Sequence, residues 1–321
     1  MADAATLRSR NAAFWTGAAA GWIRHADRQD EIGRPLGAPA MDRMAARPAE
    51  RILDVGCGCG GTTAELAVAV GESGAAVGID IAEAMVTAAR QRFPTDRYPG
   101  IRFRAADIET LDVVPGAPFD AAYSRMALML LADPVAGCTT IRRSLRPGGR
   151  LAATVFRDGG VNPWMSAAML GAAPHLGPLP PLPVGDEPGP FSFADPARLA
   201  RVLTVAGFTA VTITSCDVAL DAPDDADAVA EWLVEIGPAG AAYRAAPPAG
   251  QASARAGAVR LLDRFREPGV GYRLPAGLWL VTAIAAGADG GSRVSQSADE
   301  PSAAARPPVT HYRQPRQDEN R

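Results

Sequence analysis

A glycine-rich segment lies between a short apolar run and a helical pattern in the first third of the chain. It reads RILDVGCGCGGTTAELA and covers residues 51–67. Because glycine loses more conformational freedom on folding than any other residue, this density of glycine indicates a turn that a ligand approaches closely. Gly56, Gly58 and Gly61 match a G-x-G-x-x-G spacing, and Asp80 follows Gly61 by 19 residues. This combination is typical of a strand, turn and helix that bind a nucleotide.

Apolar runs alternate with helical patterns around this turn. Strands are predicted at residues 52–55, 75–80, 101–107, 119–125, 150–156, 209–218 and 277–283. Helices are predicted at residues 62–70, 82–93, 134–145 and 194–208, and at about 226–236 and 252–265. Such alternation predicts an α/β fold in which helices cover both faces of a parallel sheet.

Other stretches suggest how the remainder of the chain is organised. Residues 1–46 are interpreted as a helical lid, and residues 47–286 as the main domain. Within that domain, an irregular proline-rich insertion at about 157–193 and a helical insertion at about 222–270 are expected to form a cap. Residues 287–321 are rich in Gly, Ser, Pro and Arg, and this composition predicts a disordered tail.

The overall composition argues against several classes of protein. A net charge of −3 gives no electrostatic reason to expect a nucleic-acid partner. Four scattered cysteines, three histidines and no C-x-x-C pair make a metal site an unexpected feature. There is no leader-like N-terminal segment and no apolar run approaching about 18 residues, so we expect a cytoplasmic protein without a membrane anchor.

Asp54 distinguishes between two kinds of ligand for the glycine turn. Its carboxylate stands two residues before Gly56, where it would repel a pyrophosphate and attract an ammonium group. A further glycine, Gly60, extends the motif to D-x-G-x-G-x-G. The sequences AADIE, at 105–109, and LRPGGRL, at 145–151, have no place in the dinucleotide pattern. The pattern therefore favours a ligand that carries an amino group.

Together these motifs resemble the class I S-adenosylmethionine-dependent methyltransferases. LDVGCGCGG is similar to the first motif of that family, and AADIE and LRPGGRL are similar to two later ones. The stretches NAAFWTGAAAGWIRH and GLWLVTA resemble a bacterial small-molecule branch of methyltransferase type 11, related to the ubiquinone and menaquinone C-methyltransferases. The resemblance implies a Rossmann-like, doubly wound, seven-stranded and mostly parallel sheet with an antiparallel last strand, plus a helical cap.

The resemblance also implies where S-adenosylmethionine binds. Asp54 is expected either near the ammonium group or holding ordered water against it, and Asp80 is expected to accept hydrogen bonds from the ribose hydroxyls. The complete expected set is Asp54, Gly56, Cys57, Gly58, Asp80, Ile81, Met85, Asp107, Ile108, Ser124 and Arg125. Three members have alternative roles that involve no ligand. Asp107 is alternatively the cap of a turn, Met85 a residue that packs its helix, and Arg125 the partner of a carboxylate.

The sequence gives fewer signals for the residues that bind the methyl acceptor. Trp15 and Trp22 lie seven residues apart and so share a helical face, which either packs on the core as a lid or places one ring beside the sulfonium. No general base is indicated, and the weak candidates are His25, Tyr123 and Asp133. The residues after the fourth strand read SRMALML, unlike the N-P-P-Y-type motif of enzymes that methylate nucleobases or glutamine.

We therefore expect a methyltransferase that acts on a small, fairly hydrophobic molecule at a carbon, oxygen or nitrogen atom. Two other functions stay open at this point. One is an NAD(P)-dependent oxidoreductase, and the other is a non-catalytic protein that binds S-adenosylmethionine. The sequence is compatible with a monomer or a homodimer.

Overall fold

The computed structural model describes residues 4–183 and 185–286, so the predicted tail at 287–321 lies outside the described residues. Its strands are β1 (Arg51–Val55), β2 (Ala75–Asp80), β3 (Ile101–Ala105), β4 (Phe119–Arg125), β5 (Leu145–Phe156), β6 (Phe208–Ala222), β7 (Arg266–Glu267) and β8 (Gly271–Ala285). Its helices are α1 (Ala4–Arg24), α2 (Ala26–Glu31), α3 (Arg34–Met44), α4 (Gly61–Val70), α5 (Glu83–Arg92), α6 (Pro134–Ser144), α7 (Pro163–Ala172), α8 (Pro196–Val205), α9 (Ala226–Ile236), α10 (Gly240–Ala245) and α11 (Pro248–Leu262).

The strands form one sheet in the order β3-β2-β1-β4-β5-β8-β6, with the short β7 paired to β8. The first five strands are parallel, and β8 runs antiparallel to both β5 and β6. The predicted doubly wound sheet with an antiparallel last strand is therefore confirmed, and the two-residue β7 is an addition to the seven predicted strands. The strand order reverses between β1 and β4, which is where open α/β sheets bind ligands.

The apolar pattern of the central strands explains their position. In β1 every residue from Ile52 to Val55 is buried, as expected for a parallel strand covered on both faces. In β6, at the edge of the sheet, buried and exposed positions are mixed. The strands β6 and β8 both extend well beyond the segments predicted for them, 209–218 and 277–283. The antiparallel half of the sheet is therefore longer than the apolar runs of the sequence indicated.

The prediction of an irregular stretch over the whole of residues 157–193 is wrong, because α7 lies within it. Pro163 occupies the first turn of this helix, where a missing N–H costs nothing. Gly171 in α7 lies against Gly257 in α11, and a Cβ on either residue would overlap the backbone carbonyl of the other. The helix is thus stabilised by a close crossing with a distant element, which the local proline content did not reveal.

Helices α1 to α3 precede the sheet in sequence and pack against it and against the later helices. Tyr123 in β4 contacts α3, where its hydroxyl donates to the carbonyl of Gly37 over 3.1 Å. The indole N–H of Trp22 donates to the carbonyl of Ile236 in α9 over 3.1 Å. The described residues belong to a single compact unit. None of the helices in those residues combines the length and the apolar character that crossing a bilayer requires.

Candidate cofactor site

The glycine turn links β1 to α4 and contains residues with left-handed backbone conformations. Gly56 has φ of 75° and Gly58 has φ of 51°, a region that side chains with a Cβ rarely adopt. A Cβ on Gly56 would overlap the side chain of Ala127, so this glycine is needed for packing. A Cβ on Gly58 would have only the Met85 sulfur within reach, 4.0 Å away. Gly58 therefore borders open space, as expected for a turn that a ligand approaches.

Asp80 ends β2, and its carboxylate is fixed by main-chain donors. The N–H of Gly58 donates to one oxygen and the N–H of Ala82 to the other, each over 2.9 Å. Burial raises the pKa of Asp80, and the main-chain donors of Ala82, Gly58 and Ile81 counteract that effect. A carboxylate offers about four acceptor positions, so these donors do not fill it and the hydroxyls of a ligand can still be accepted.

Asp54 lies in β1 beneath the turn and is 1% exposed. The hydroxyls of Thr62 and Thr63, in the first turn of α4, both donate to its Oδ2 over 2.7 Å. Burial raises the pKa of Asp54 to about 6, although the two hydroxyls act in the opposite direction. Within the described residues its Oδ1 has no hydrogen-bond partner. Because an unpaired buried oxygen is costly, this atom indicates a missing donor such as an ammonium group.

The expected adenosine side of the site is formed by the starts of α5 and of the loop after β3. Met85 and Ile108 are both buried, at 2% and 6% exposure. Met85 packs in a small apolar cluster with Trp15 and Trp22 of α1. The carboxylate of Asp107 accepts the N–H of Glu109 over 2.9 Å, which is the turn-capping geometry that the sequence left open.

The carboxyl end of β4 borders the turn from the other side. The hydroxyl of Ser124 donates to the carbonyl of Val55 over 3.0 Å and so ties β4 to the end of β1. The hydroxyl of Tyr123 is fully buried against α3, and burial raises its pKa further above the usual range. A phenol held in this way is a poor proton acceptor, so its position supports a structural role.

Arg125 lies at the last position of β4, and its guanidinium is 3.7 Å from the carboxylate of Asp30. Asp30 belongs to α2 and also binds Arg92 of α5 over 2.6 Å. Arg125 therefore has a carboxylate partner, which is the alternative to a ligand contact that the sequence left open. No local pattern connects α2 with α5, so the sequence gives no sign that Asp30 and Arg92 are site residues.

His25 and Glu235 form a buried pair between the α1–α2 junction and α9. His25 Nε2 is 2.8 Å from a carboxylate oxygen of Glu235, and Arg24 binds the other oxygen over 2.9 Å. Glu235 is completely buried and His25 is 8% exposed. Burial lowers the pKa of His25, against the raising effect of the bond to Glu235. The arrangement fixes the imidazole ring and favours its neutral form.

Asp133, the third candidate base, is the N-cap of α6. Its carboxylate accepts the N–H of Ala136 over 3.0 Å, and Pro134 occupies the first turn. Its own N–H donates to Glu109 over 2.6 Å, and Glu109 also accepts the N–H of Ala132. Glu109 thus joins the loop after β3 to the start of α6, a role for which the sequence offers no signal because its partners are distant in the chain.

The end of β4 also contains a residue with an unusual backbone that the sequence analysis missed. Met126 has φ of 57°, in the left-handed region that non-glycine residues rarely enter. It directly precedes Ala127, the residue against which Gly56 packs. Such conformations concentrate at functional sites, where the surrounding structure maintains them. No residue pattern at this position predicts the conformation.

Comparison with known proteins gives results consistent with this geometry. A family described as a methyltransferase domain matches residues 46–173. Nocamycin O-methyltransferase from Saccharothrix syringae is 31% identical over 209 residues, which cover 63% of this chain and 74% of that protein. Demethylmenaquinone methyltransferase from Beutenbergia cavernae is 34% identical over 117 residues, 36% of this chain and 45% of that protein. Other curated relatives are matched over 31% and 52% of their length.

Among solved structures, the YcgJ protein from Bacillus subtilis matches with a TM-score of 0.50 and 15% identity, covering 80% of this chain and 98% of that one. This likeness concerns the fold alone. The nocamycin relative, however, is matched over most of its length at an identity that indicates common descent. The unpaired oxygen of Asp54, the open side of Gly58 and the acceptor positions of Asp80 fit the amino acid and ribose parts of S-adenosylmethionine. The chain belongs to the class I S-adenosylmethionine-dependent methyltransferases, and S-adenosylmethionine is its cofactor.

Proposed function

We propose that this protein methylates an oxygen atom of a small, apolar molecule and that the cofactor lies across the ends of β1, β2 and β4. The observation that carries the cofactor assignment is the buried Oδ1 of Asp54, which has no partner within the described residues, in a strand that leads into the turn of Gly58. S-adenosylmethionine supplies a methyl group on a sulfonium, which is a good leaving group for an in-line displacement. The oxygen acceptor is supported by the nocamycin relative, whose name describes an O-methyltransferase.

Asp54, Gly58 and Asp80 would hold the cofactor at its two ends. Asp54 Oδ1 would accept from the ammonium group, and the remaining acceptor positions of Asp80 would take the ribose hydroxyls. The rest of the proposed set is unchanged from the sequence prediction: Gly56, Cys57, Ile81, Met85, Asp107, Ile108, Ser124 and Arg125. Fixing the donor and the acceptor in line is itself worth about 7–11 kcal/mol of the barrier.

The lid and the cap would enclose the acceptor. Trp15 and Trp22 pack against the apolar cluster that contains Met85 at the start of α5, so α1 would cover the adenosine side of the proposed site. This position supports the lid interpretation of the two tryptophans. A cover made of such side chains would exclude water and favour an apolar acceptor.

His25 is the strongest of the three candidate bases. Tyr123 and Asp133 use their polar atoms to hold α3 and α6, whereas His25 has a carboxylate on one ring nitrogen. A hydrogen bond from Nε2–H to Glu235 would leave the lone pair on Nδ1 available to accept a proton from an acceptor hydroxyl. The tautomer is assigned from this hydrogen-bond pattern.

A binding and labelling experiment tests the proposal. The full chain is titrated with S-adenosylmethionine, and then incubated with the methyl-labelled cofactor and a panel of small apolar hydroxyl and carboxyl compounds. We expect cofactor binding and a labelled ether or ester, identified by mass spectrometry. Labelled products at carbon or nitrogen would contradict the oxygen assignment, and binding without any labelled product would contradict the proposed catalysis.

A further inference from the structure

Three charged residues join the lid to the glycine turn, and we call them the lid latch: Asp27 and Asp30 of α2, and Arg92 at the end of α5. One guanidinium nitrogen of Arg92 donates to the carbonyl of Cys59 over 2.7 Å. The other contacts Asp27 over 2.8 Å and Asp30 over 2.6 Å. A single side chain therefore binds the backbone of the turn and two lid carboxylates at the same time, which the planar fork of arginine allows.

Gly61 shows how closely the latch approaches the turn. A Cβ on Gly61 would overlap the carboxylate of Asp30. Gly61 is the first residue of α4 and lies outside the left-handed region, so its backbone does not require glycine. The close approach of Asp30 accounts for the absence of a side chain here. The carboxylate also lies at the amino end of α4, where the helix dipole favours a negative charge.

From this geometry we infer that Asp30 and Arg92 are positioning residues that hold the lid closed over the cofactor and set the rate at which it leaves. The inference rests on the proposed cofactor site. Trp15 and Trp22 of α1 pack against the apolar cluster that contains Met85, so a cofactor bound beside Met85 would leave when α1 moves away. The latch connects the helix that follows α1 directly to the turn. Replacing Arg92 loosens the attachment of the lid to the turn without removing any group proposed to contact the cofactor.

The first test measures how fast labelled S-adenosylhomocysteine dissociates from the full chain into an excess of the unlabelled compound. Arg92→Ala is expected to raise the dissociation rate about tenfold, the size typical for losing hydrogen bonds to a charged group. Arg92→Lys keeps the charge but not the fork, so its rate should lie in between. An unchanged rate in Arg92→Ala would overturn the inference.

Arg90→Ala is the matched control. Arg90 is also an arginine of α5, pairs with a carboxylate, Glu83, over 3.1 Å and donates to a backbone carbonyl, that of Phe103, over 3.2 Å. None of these contacts involves the lid or the glycine turn. Arg90→Ala should therefore leave the dissociation rate unchanged. An increase equal to that of Arg92→Ala would mean that any loss of charge on α5 has this effect, which would overturn the inference.

A second test uses Gly61. Gly61→Ala should displace Asp30 and raise the dissociation rate while favouring α4 itself, because alanine is the better helix former. In an Asp30→Ala background the overlap no longer exists, so adding Gly61→Ala should have no further effect. Additive effects of the two substitutions would show that Gly61 acts separately from the latch and would overturn the inference.

A third measurement needs no cofactor. Hydrogen exchange in α1 and α2 of the free protein should be faster in Arg92→Ala than in the wild type, and unchanged in Arg90→Ala. Equal exchange in Arg92→Ala and the wild type would contradict a latch. Asp80→Ala distinguishes a failure of the proposed cofactor site from a failure of the latch: if it leaves the affinity for S-adenosylhomocysteine unaltered, the proposed cofactor site is wrong. If it weakens binding while Arg92→Ala changes nothing, only the latch is wrong.

Discussion

The two sides of the site are held together in different ways. On the cofactor side, Asp54 binds hydroxyls eight and nine residues further along the chain, and Asp80 binds an N–H 22 residues away. On the proposed acceptor side, His25 and Glu235 are separated by 210 residues. The proposed cofactor side is thus assembled within one strand–helix–strand unit, whereas the His25–Glu235 pair forms only when the α1–α2 junction packs against α9.

This difference suggests a division of roles. A unit whose contacts are local tolerates little change where its geometry depends on glycine conformations and main-chain donors. Side chains presented by separate helices can be exchanged without disturbing the sheet. We therefore expect substitutions on the cofactor side to alter cofactor affinity and those on the acceptor side to alter turnover.

The largest expected effect is on the acceptor side. His25→Gln should lower kcat about 10²- to 10⁴-fold, the usual contribution of a general base, with cofactor affinity unaltered. The wild-type kcat should fall as the pH decreases through the pKa of His25, which burial places below its usual value, because only the neutral ring accepts a proton. Steady-state kinetics with an acceptor found by labelling measures both.

His175→Gln is the control for this substitution. His175 lies beyond the end of α7 and is exposed, so its replacement should leave kcat unchanged. A His25→Gln variant with wild-type kcat would remove His25 from the reaction and leave the His25–Glu235 pair as a purely structural contact.

On the cofactor side, Asp80→Ala should weaken S-adenosylmethionine binding about 100-fold, since hydrogen bonds to a charged group contribute about 1.5–3 kcal/mol each. Calorimetric titration gives the affinity, and thermal unfolding verifies that the fold persists. Asp112→Ala is the control, because Asp112 is an exposed partner of Arg143. Wild-type affinity in Asp80→Ala would show that the cofactor binds elsewhere.

A smaller effect is expected from pH. The pKa of Asp54 is raised to about 6, so the carboxylate that would bind an ammonium group is lost as the pH falls through 6. Affinity for S-adenosylmethionine should be about tenfold lower at pH 5 than at pH 7, as one titrating group with this pKa requires. The raised pKa means that protonation of Asp54 stabilises the cofactor-free protein at low pH and that this stabilisation is lost as the pH rises through 6.

Titrating Asp54→Asn with S-adenosylmethionine at pH 5 and at pH 7 provides the control for this pH dependence. This variant should bind weakly at both, with no tenfold difference between them. If the variant keeps the pH dependence of the wild type, another group is responsible and Asp54 does not face the ammonium group.

The smallest effect is expected at Asp133. Asp133→Ala removes the N-cap of α6 and should lower the free energy of unfolding by about 1 kcal/mol. Asp133→Ser preserves a capping oxygen and should recover most of this loss. Chemical denaturation measures the change, and kcat should be equal in both variants. If Asp133→Ala and Asp133→Ser each lost a large part of kcat, Asp133 would again be a candidate general base.

The fold was largely predictable because its signals are local. The apolar runs of β1 to β5, the glycine turn and Asp80 lie in the order in which the sheet uses them, and the periodicity of each segment is visible over a few residues. Helix α7 was not predicted, because its stability depends on the crossing of Gly171 with Gly257, 86 residues further along the chain.

The residues of the candidate site also fall into two groups, those that the sequence indicated and those that depend on contacts between distant parts of the chain. The sequence indicated Asp54, Gly58 and Asp80 through their spacing, and the structure brings them together at the ends of β1 and β2. It did not indicate the partner of His25 or the role of Asp30. Glu235 and Asp30 are ordinary acidic residues of helices, and nothing near them in the chain distinguishes them from surface charges.

By itself, the sequence determined the parallel α/β sheet and the glycine turn through short-range periodicity and fixed spacings, and it indicated the family through motifs that resemble those of the family. Only the tertiary structure decided which polar groups meet: Glu235 with His25, and Arg92 with Asp30 and the carbonyl of Cys59. The reason is physical. A contact between residues far apart in the chain depends on how whole helices pack, and helix packing depends on the summed fit of many side chains rather than on any one local pattern.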